Sequence, residues 1–162
     1  MKKTRILSLL LFILCLSSIL ALTSCGQDKS GNTIDEPELT AEYLSDEYSQ
    51  QLLTDGAETT LGTVTITEVG GVYSVVVSEK EVVPNSDYED GYYIADTNVV
   101  KEGTLGFDAR IVCEHEGENI MSDADAFMKE HPDGSEELYT IYMMGNSAEL
   151  IMITDPEEVI VE

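Results

Sequence analysis

Apolar and polar positions along this chain fall into stretches with distinct periods. Ile6–Ala21 is an apolar run with no charge in it. From Thr40 to Leu53, Ala41, Leu44, Tyr48 and Leu52 recur three and four apart. That spacing puts one apolar stripe on a helix, with Thr40 as N-cap and Gly56 as stop. From Leu61 the period becomes two: Val64 and Ile66 alternate with Thr63, Thr65 and Thr67. Gly70-Gly71 and the run Val72–Val83 follow, predicting a tight hairpin. Val75, Val76 and Val77 are apolar towards both faces and predict a central strand, which Pro84 ends. Asn85–Gly106 is the least regular part and reads as a long excursion with short strands. Phe107–Glu116 returns to alternation, with Ala109, Ile111 and Cys113 on one face and a turn at Glu116-Gly117. Ser122-Asp123-Ala124-Asp125 reads as a helix start with Ser122 as N-cap. Ala124, Phe127 and Met128 supply its buried side, and His131-Pro132-Asp133-Gly134 ends it. Leu138–Met144 and Ala148–Ile153 are strands around the hairpin turn Gly145-Asn146. Val159–Val161 reads as a last edge strand.

These elements predict one globular domain over residues 39–162. Its class is mainly β (α+β): a small barrel or curved antiparallel sheet, one short helix between strands, and an N-terminal helix. The order strand, strand, strand, helix, strand, strand over Leu61–Ile153 resembles the OB-fold, a small barrel whose helix sits between its third and fourth strands. The resemblance is one of topology and not of motif, and residues 85–106 depart from it. An α+β sheet with the N-terminal helix packed on one face fits the same order.

The N-terminal run is preceded by Lys2, Lys3 and Arg5. A positive start, an apolar middle and a small-residue end describe a secretory signal peptide over residues 1–24, with the positive end retained in the cytoplasm. Leu22-Thr23-Ser24-Cys25 resembles the lipobox of bacterial lipoproteins, which reads branched-apolar, small, small, Cys. The resemblance implies cleavage between Ser24 and Cys25 and a diacylglyceryl group on the Cys25 thiol. It also implies a chain held on the extracytoplasmic face of a bacterial membrane. Cys15 does not fit, because Phe12, Ile13 and Leu14 before it are too large. Two acyl chains anchor stably where one does not. Residues 25–38, rich in Gly, Ser, Asn and Asp after the cysteine, then read as a flexible linker. The domain beyond is similar to the small acidic lipoproteins of Gram-positive bacteria.

Charge narrows the range of partners. The chain has 162 residues and a formal charge of -24. Removing residues 1–24 takes away three cations and no acid, so -24 less three leaves -27. Nucleic-acid binding needs Lys and Arg to displace counterions, and five remain against 32 acids. Docking on anionic lipid through a basic patch is disfavoured for the same reason. The balance suits a soluble extracellular surface, or a cationic protein or envelope partner. Cys113 is the one cysteine left for the folded part, so no intramolecular disulfide forms and the domain relies on its core. Its strand position predicts a buried, inert thiol; the flanking Glu114 and Glu116 oppose thiolate formation.

The candidate chemistries are few. Zinc needs three or four suitably spaced ligands. His115-Glu116 begins like a metalloprotease motif, but Asn119 stands where the second His is required. His131 reads as a helix C-terminal residue favoured by the dipole. Asp87, Glu89 and Asp90, before Gly91 and near Asp96 and Asn98, offer the oxygen ligands that calcium takes. They do not match the EF-hand pattern, and a solvated acidic loop is the simpler reading. No cofactor is expected otherwise. No Gly-x-Ser-x-Gly elbow occurs, and only His115 and His131 could serve a small hydrolase as base. Tyr88, Tyr92 and Tyr93 are candidate binding anchors, unless Tyr92 turns inward with Ile94 to fill the core. The sequence therefore predicts a non-enzymatic, membrane-tethered binding module.

Overall fold

The computed structural model describes residues 38–160. The lipobox residues Ser24 and Cys25, nearly all of the linker, and Val161 lie outside them.

The N-terminal helix forms where the stripe places it. Helix α1 runs as Ala41–Tyr43, a wide π turn at Leu44–Tyr48, and Ser49–Thr54. The Thr40 hydroxyl accepts from the Tyr43 amide at 3.1 Å, filling one of the donors a helix start leaves unpaired. At the other end Gly56 takes φ 97°. Ala57 N donates to Leu52 O and Gly56 N to Leu53 O, which is the Schellman arrangement.

Six strands follow: β1 Glu58–Val69, β2 Val72–Pro84, β3 Tyr92–His115, β4 Glu118–Ser122, β5 Tyr139–Met144 and β6 Ser147–Ile153. Helix α2, Ala124–Glu130, lies between β4 and β5, and α3, Pro156–Val159, follows β6. The sheet order is β2-β1-β5-β6-β3-β4, and β2 also pairs with β3. That extra pairing closes a ring of β1, β2, β3, β6 and β5. Every pairing is antiparallel except β3 with β6. With β4 set aside as a hairpin extension of β3, this is a small OB-like barrel with its helix after the third strand.

Inward-facing positions fill the ring: Val64 and Ile66, Val75 and Val77, Ile111 and Cys113, Tyr139 and Ile141, Ala148 and Ile151. Phe127 of α2 joins this cluster fully buried, its ring 5.9 Å from that of Tyr139 and edge-on to it. A second cluster sits on the other face of the same strands. There Leu44 and Leu52 of α1 pack on Val112, Tyr142 and Leu150. Ile111, Val112 and Cys113 are consecutive and all buried because barrel and helix cover the strand from both sides.

Several expectations are corrected. Residues 92–106 are not an excursion but the first half of β3, which pairs with β2 from Ser74↔Thr104 to Pro84↔Tyr92. Periodicity hides this because the register shifts between Ser78 and Lys80, and Asn98 opposite takes φ 59°. Four residue steps of β3, Asp96 to Val100, there stand against two of β2, so the alternation is interrupted locally. Only Asn85–Gly91 is a loop. Tyr92 and Ile94 do not fill the core: Ile94 is 46 % exposed. Residues 118–122, beyond the expected turn, form β4 on β3. The α2 cap is Asp123 and not Ser122, its carboxylate accepting from Ala126 N at 2.7 Å. Of the segment read as a final strand, Val159 instead ends α3, a helix started by Asp155 accepting from Glu157 N and by Pro156 in its first turn, and Ile160 is its C-cap. Among the described residues no helix is long and apolar enough to cross a membrane.

Candidate functional site

Beyond the ring, β2 and β3 continue as a two-stranded arm. Among the described residues, Lys80↔Asp96 through Pro84↔Tyr92 pair only with each other. Lys80 and Asp96 form an ion pair across it. The loop at its tip is tied by local bonds. Asp87 N donates to Asn85 Oδ1 at 2.9 Å, Asn85 N to Gly91 O at 2.7 Å and Gly91 N to Tyr88 O at 3.0 Å. Tyr88 stacks on Tyr93 with ring centroids 5.5 Å apart, and both rings are exposed. Tyr92 is half-buried. Its phenol is held above its ordinary pKa, first by desolvation and then by Asp90, Glu157 and Asp155. Two of the three tyrosines therefore come together.

Asp87, Glu89 and Asp90 lie exposed on the same loop. Among the described residues no group of three or more His, Cys, Asp or Glu side chains is placed to hold a metal ion.

Beside the arm opens a cleft of about 670 Å³. Its carboxylates come from separate segments: Glu114 at the end of β3, Glu136 and Glu137 before β5, Asp155 and Glu158 around α3. Ile94, Leu138 and Ile153 supply apolar lining, and among the described residues no Lys or Arg lines it. The 135–138 segment is fixed by named bonds. Ser135 N donates to Val64 O at 2.9 Å, Glu137 N to Ser135 Oγ at 3.2 Å, and the Tyr139 hydroxyl to Glu137 Oε2 at 2.7 Å. Burial, followed by the Glu137 carboxylate, raises the Tyr139 phenol well above its usual range, whereas its bond to Ser135 lowers it.

A second cleft, of about 550 Å³, lies beside β3 and α2. Between Leu105 and Arg110 the register of β3 against β6 shifts. The Arg110 guanidinium donates to the carbonyls of Asp108 and Ala109 within this bulge. Phe107 at its crest is fully exposed. Leu39, Leu105 and Met121 line the cleft with it, and Asp123 and Asp125 stand at the α2 end.

The other candidates are placed apart. Cys113 is buried in the barrel, and burial pushes its thiol up to about 11, against a smaller lowering by a bond to Tyr139. His115 is exposed at the β3–β4 turn. His131 ends α2 with its ring 4.7 Å from Phe127. Sequence reading missed Glu136, Glu137, Asp155 and Glu158 as a group, because nothing distinguishes them among 32 acids before folding. No family model, curated protein or solved structure matches the chain. Fold and geometry therefore define its class: an OB-like barrel carrying an aromatic arm and an acidic cleft.

Proposed function

We propose that the chain is a bacterial lipoprotein, tethered through Cys25 to the extracytoplasmic face of the membrane. Its barrel acts as a non-enzymatic binding module for a cationic protein or envelope component. The observation that carries the binding reading is the cleft beside the arm, with five carboxylates from three segments and, among the described residues, no basic lining residue. Such a surface raises the local concentration of a positive ligand and repels a negative one. The stacked Tyr88 and Tyr93 add a rigid aromatic contact at the tip of the arm.

The tether is tested by labelling cells with a fatty acid. Cys25→Ala is expected to abolish incorporation and leave the precursor uncut; labelling that persists would remove the lipoprotein reading. The module is tested by passing envelope extract over immobilised domain. A retained cationic partner should elute with salt, and Glu114→Gln with Glu136→Gln and Glu158→Gln should weaken retention about tenfold or more. Salt-insensitive retention, unchanged in that variant, would refute the charge argument. Turnover of an envelope substrate by the pure domain would refute the non-enzymatic one.

A further inference from the structure

β4 closes one margin of the sheet, and among the described residues no strand pairs with its outer side. The direction of its free groups follows from the turn that makes it. Glu116 and Gly117 take φ 54° and 83°, joining His115 to Glu118 by a two-residue turn. The residues flanking such a turn exchange both hydrogen bonds, and pairs along an antiparallel ladder alternate between bonded and unbonded. His115↔Glu118, Cys113↔Ile120 and Ile111↔Ser122 are then the bonded pairs. Asn119 and Met121 direct their N–H and C=O outward.

Exposed strand edges are commonly blunted by a Pro, a Lys or a bulge. β4 has none: its sequence is Glu-Asn-Ile-Met-Ser, and its register against β3 is unbroken. Ile120 and Met121 are 42 % and 44 % exposed. The first turn of α1 approaches β4, yet residues 118–121 all stay exposed. The two residues with outward amides also reach the two clefts. Asn119 lines the acidic one and Met121 the one beside Phe107.

We infer that β4 is a docking edge for an extended, basic segment of a partner protein, which adds to the sheet as a further strand. The inference rests on the binding-module reading and gives it a mode and a partner chemistry. Main-chain bonds to Asn119 and Met121 supply the pairing, and pockets for alternate side chains supply selectivity. A Lys or Arg of the partner enters the cleft of Glu114, Glu136 and Glu158. An apolar side chain two residues along, about 7 Å in an extended chain, enters beside Met121 and Phe107. Charge chooses the occupant: Glu114, Glu116, Glu118, Asp123 and Asp125 surround the edge. A second copy of this acidic chain would set those carboxylates against its own.

The test uses the chain from Pro37 onward, a compact unit that contains both core clusters whole. The probes are a decapeptide of alternating Lys and Val, the same peptide N-methylated at alternate residues, and a Glu/Val counterpart. With the Lys/Val peptide, amide exchange at Asn119 and Met121 is expected to slow at least tenfold. The N-methylated and acidic peptides should leave it unchanged. Met121→Pro, which removes an amide that β3 does not use, should lose binding while keeping its melting temperature. If that variant unfolds, the N-methylated peptide still decides.

Binding of the plain and N-methylated peptides alike, without protection of these amides, would overturn strand addition and leave a charge-only module. Protection that grows with protein concentration and needs no peptide would overturn it in favour of self-pairing. No binding of either cationic peptide at low salt would overturn the docking edge and the cationic-partner reading together.

Discussion

At position 62 the barrel leaves no room for a side chain. A Cβ on Gly62 would lie 2.4 Å from the Ser78 carbonyl oxygen and 3.0 Å from Val77 Cγ1. The first of these is backbone of the paired strand, so Gly62→Ala must part β1 from β2. A loss of more than about 2 kcal/mol is expected in urea unfolding; a neutral result would contradict the close approach. Cys113 makes a second residue-scale case. Its thiol is neutral in the fold up to about pH 11, against an ordinary 9. Between those values the unfolded chain loses a proton that the folded chain keeps, so stability falls as pH rises through that window. The effect is on the order of 2–3 kcal/mol. Tyr139, also raised, adds in the same direction. Cys113→Ala should flatten the alkaline decline, measured as melting temperature from pH 8 to 11. A thiol reagent at pH 8 should label Cys113 only after denaturation. The burial was legible in the sequence, from alternation with Ile111; the charges that add to it are Glu137 and Glu130, not the flanking Glu114 and Glu116. Gly62 was not legible, since nothing local marks where two strands will meet most closely.

Among the elements, α2 separates two readings of one helix start. Asp123, and not Ser122, accepts from Ala126 N. Asp123→Ala should cost about 1 kcal/mol and Ser122→Ala much less. Equal losses would restore the Ser122 reading. The helix matters because Phe127 is fully buried among barrel residues; Phe127→Ala should cost about 3–5 kcal/mol. The helix and its buried face could be read from Ala124, Phe127 and Met128. The cap could not, because Ser122 and Asp123 are both good caps and the last β3–β4 pair, Ile111↔Ser122, draws Ser122 into the strand. The arm could not be read either. Its bulge near Asn98 breaks the period of two, so a continuous strand looks like an irregular loop.

For the whole molecule the governing quantity is charge. Self-repulsion at -24 disfavours association of copies and falls as salt screens it. Capture of a cationic partner should therefore weaken between 50 and 300 mM salt. Retention unchanged over that range would place the contact on the apolar groups around Phe107 and Tyr88 instead.

By itself the sequence determined what is local. It set the periods that make α1, β1, β2, β5 and β6, the glycine turns between them, the buried place of Cys113 and the sign of the surface. Its strand and helix order also carried the OB-like topology, because the residues inside the barrel alternate in short runs that can be counted. Tertiary structure alone decided which strands close the ring, since β3 meets β6 in parallel across 43 residues of chain from Thr104 to Ser147. Sequence spacing carries no record of that meeting. The same holds for the cleft, whose carboxylates become a group only when β3, the segment before β5 and α3 arrive at one place. The free edge of β4 belongs there too, because an edge is defined by the neighbour a strand lacks, and neighbours are chosen only when the sheet has formed.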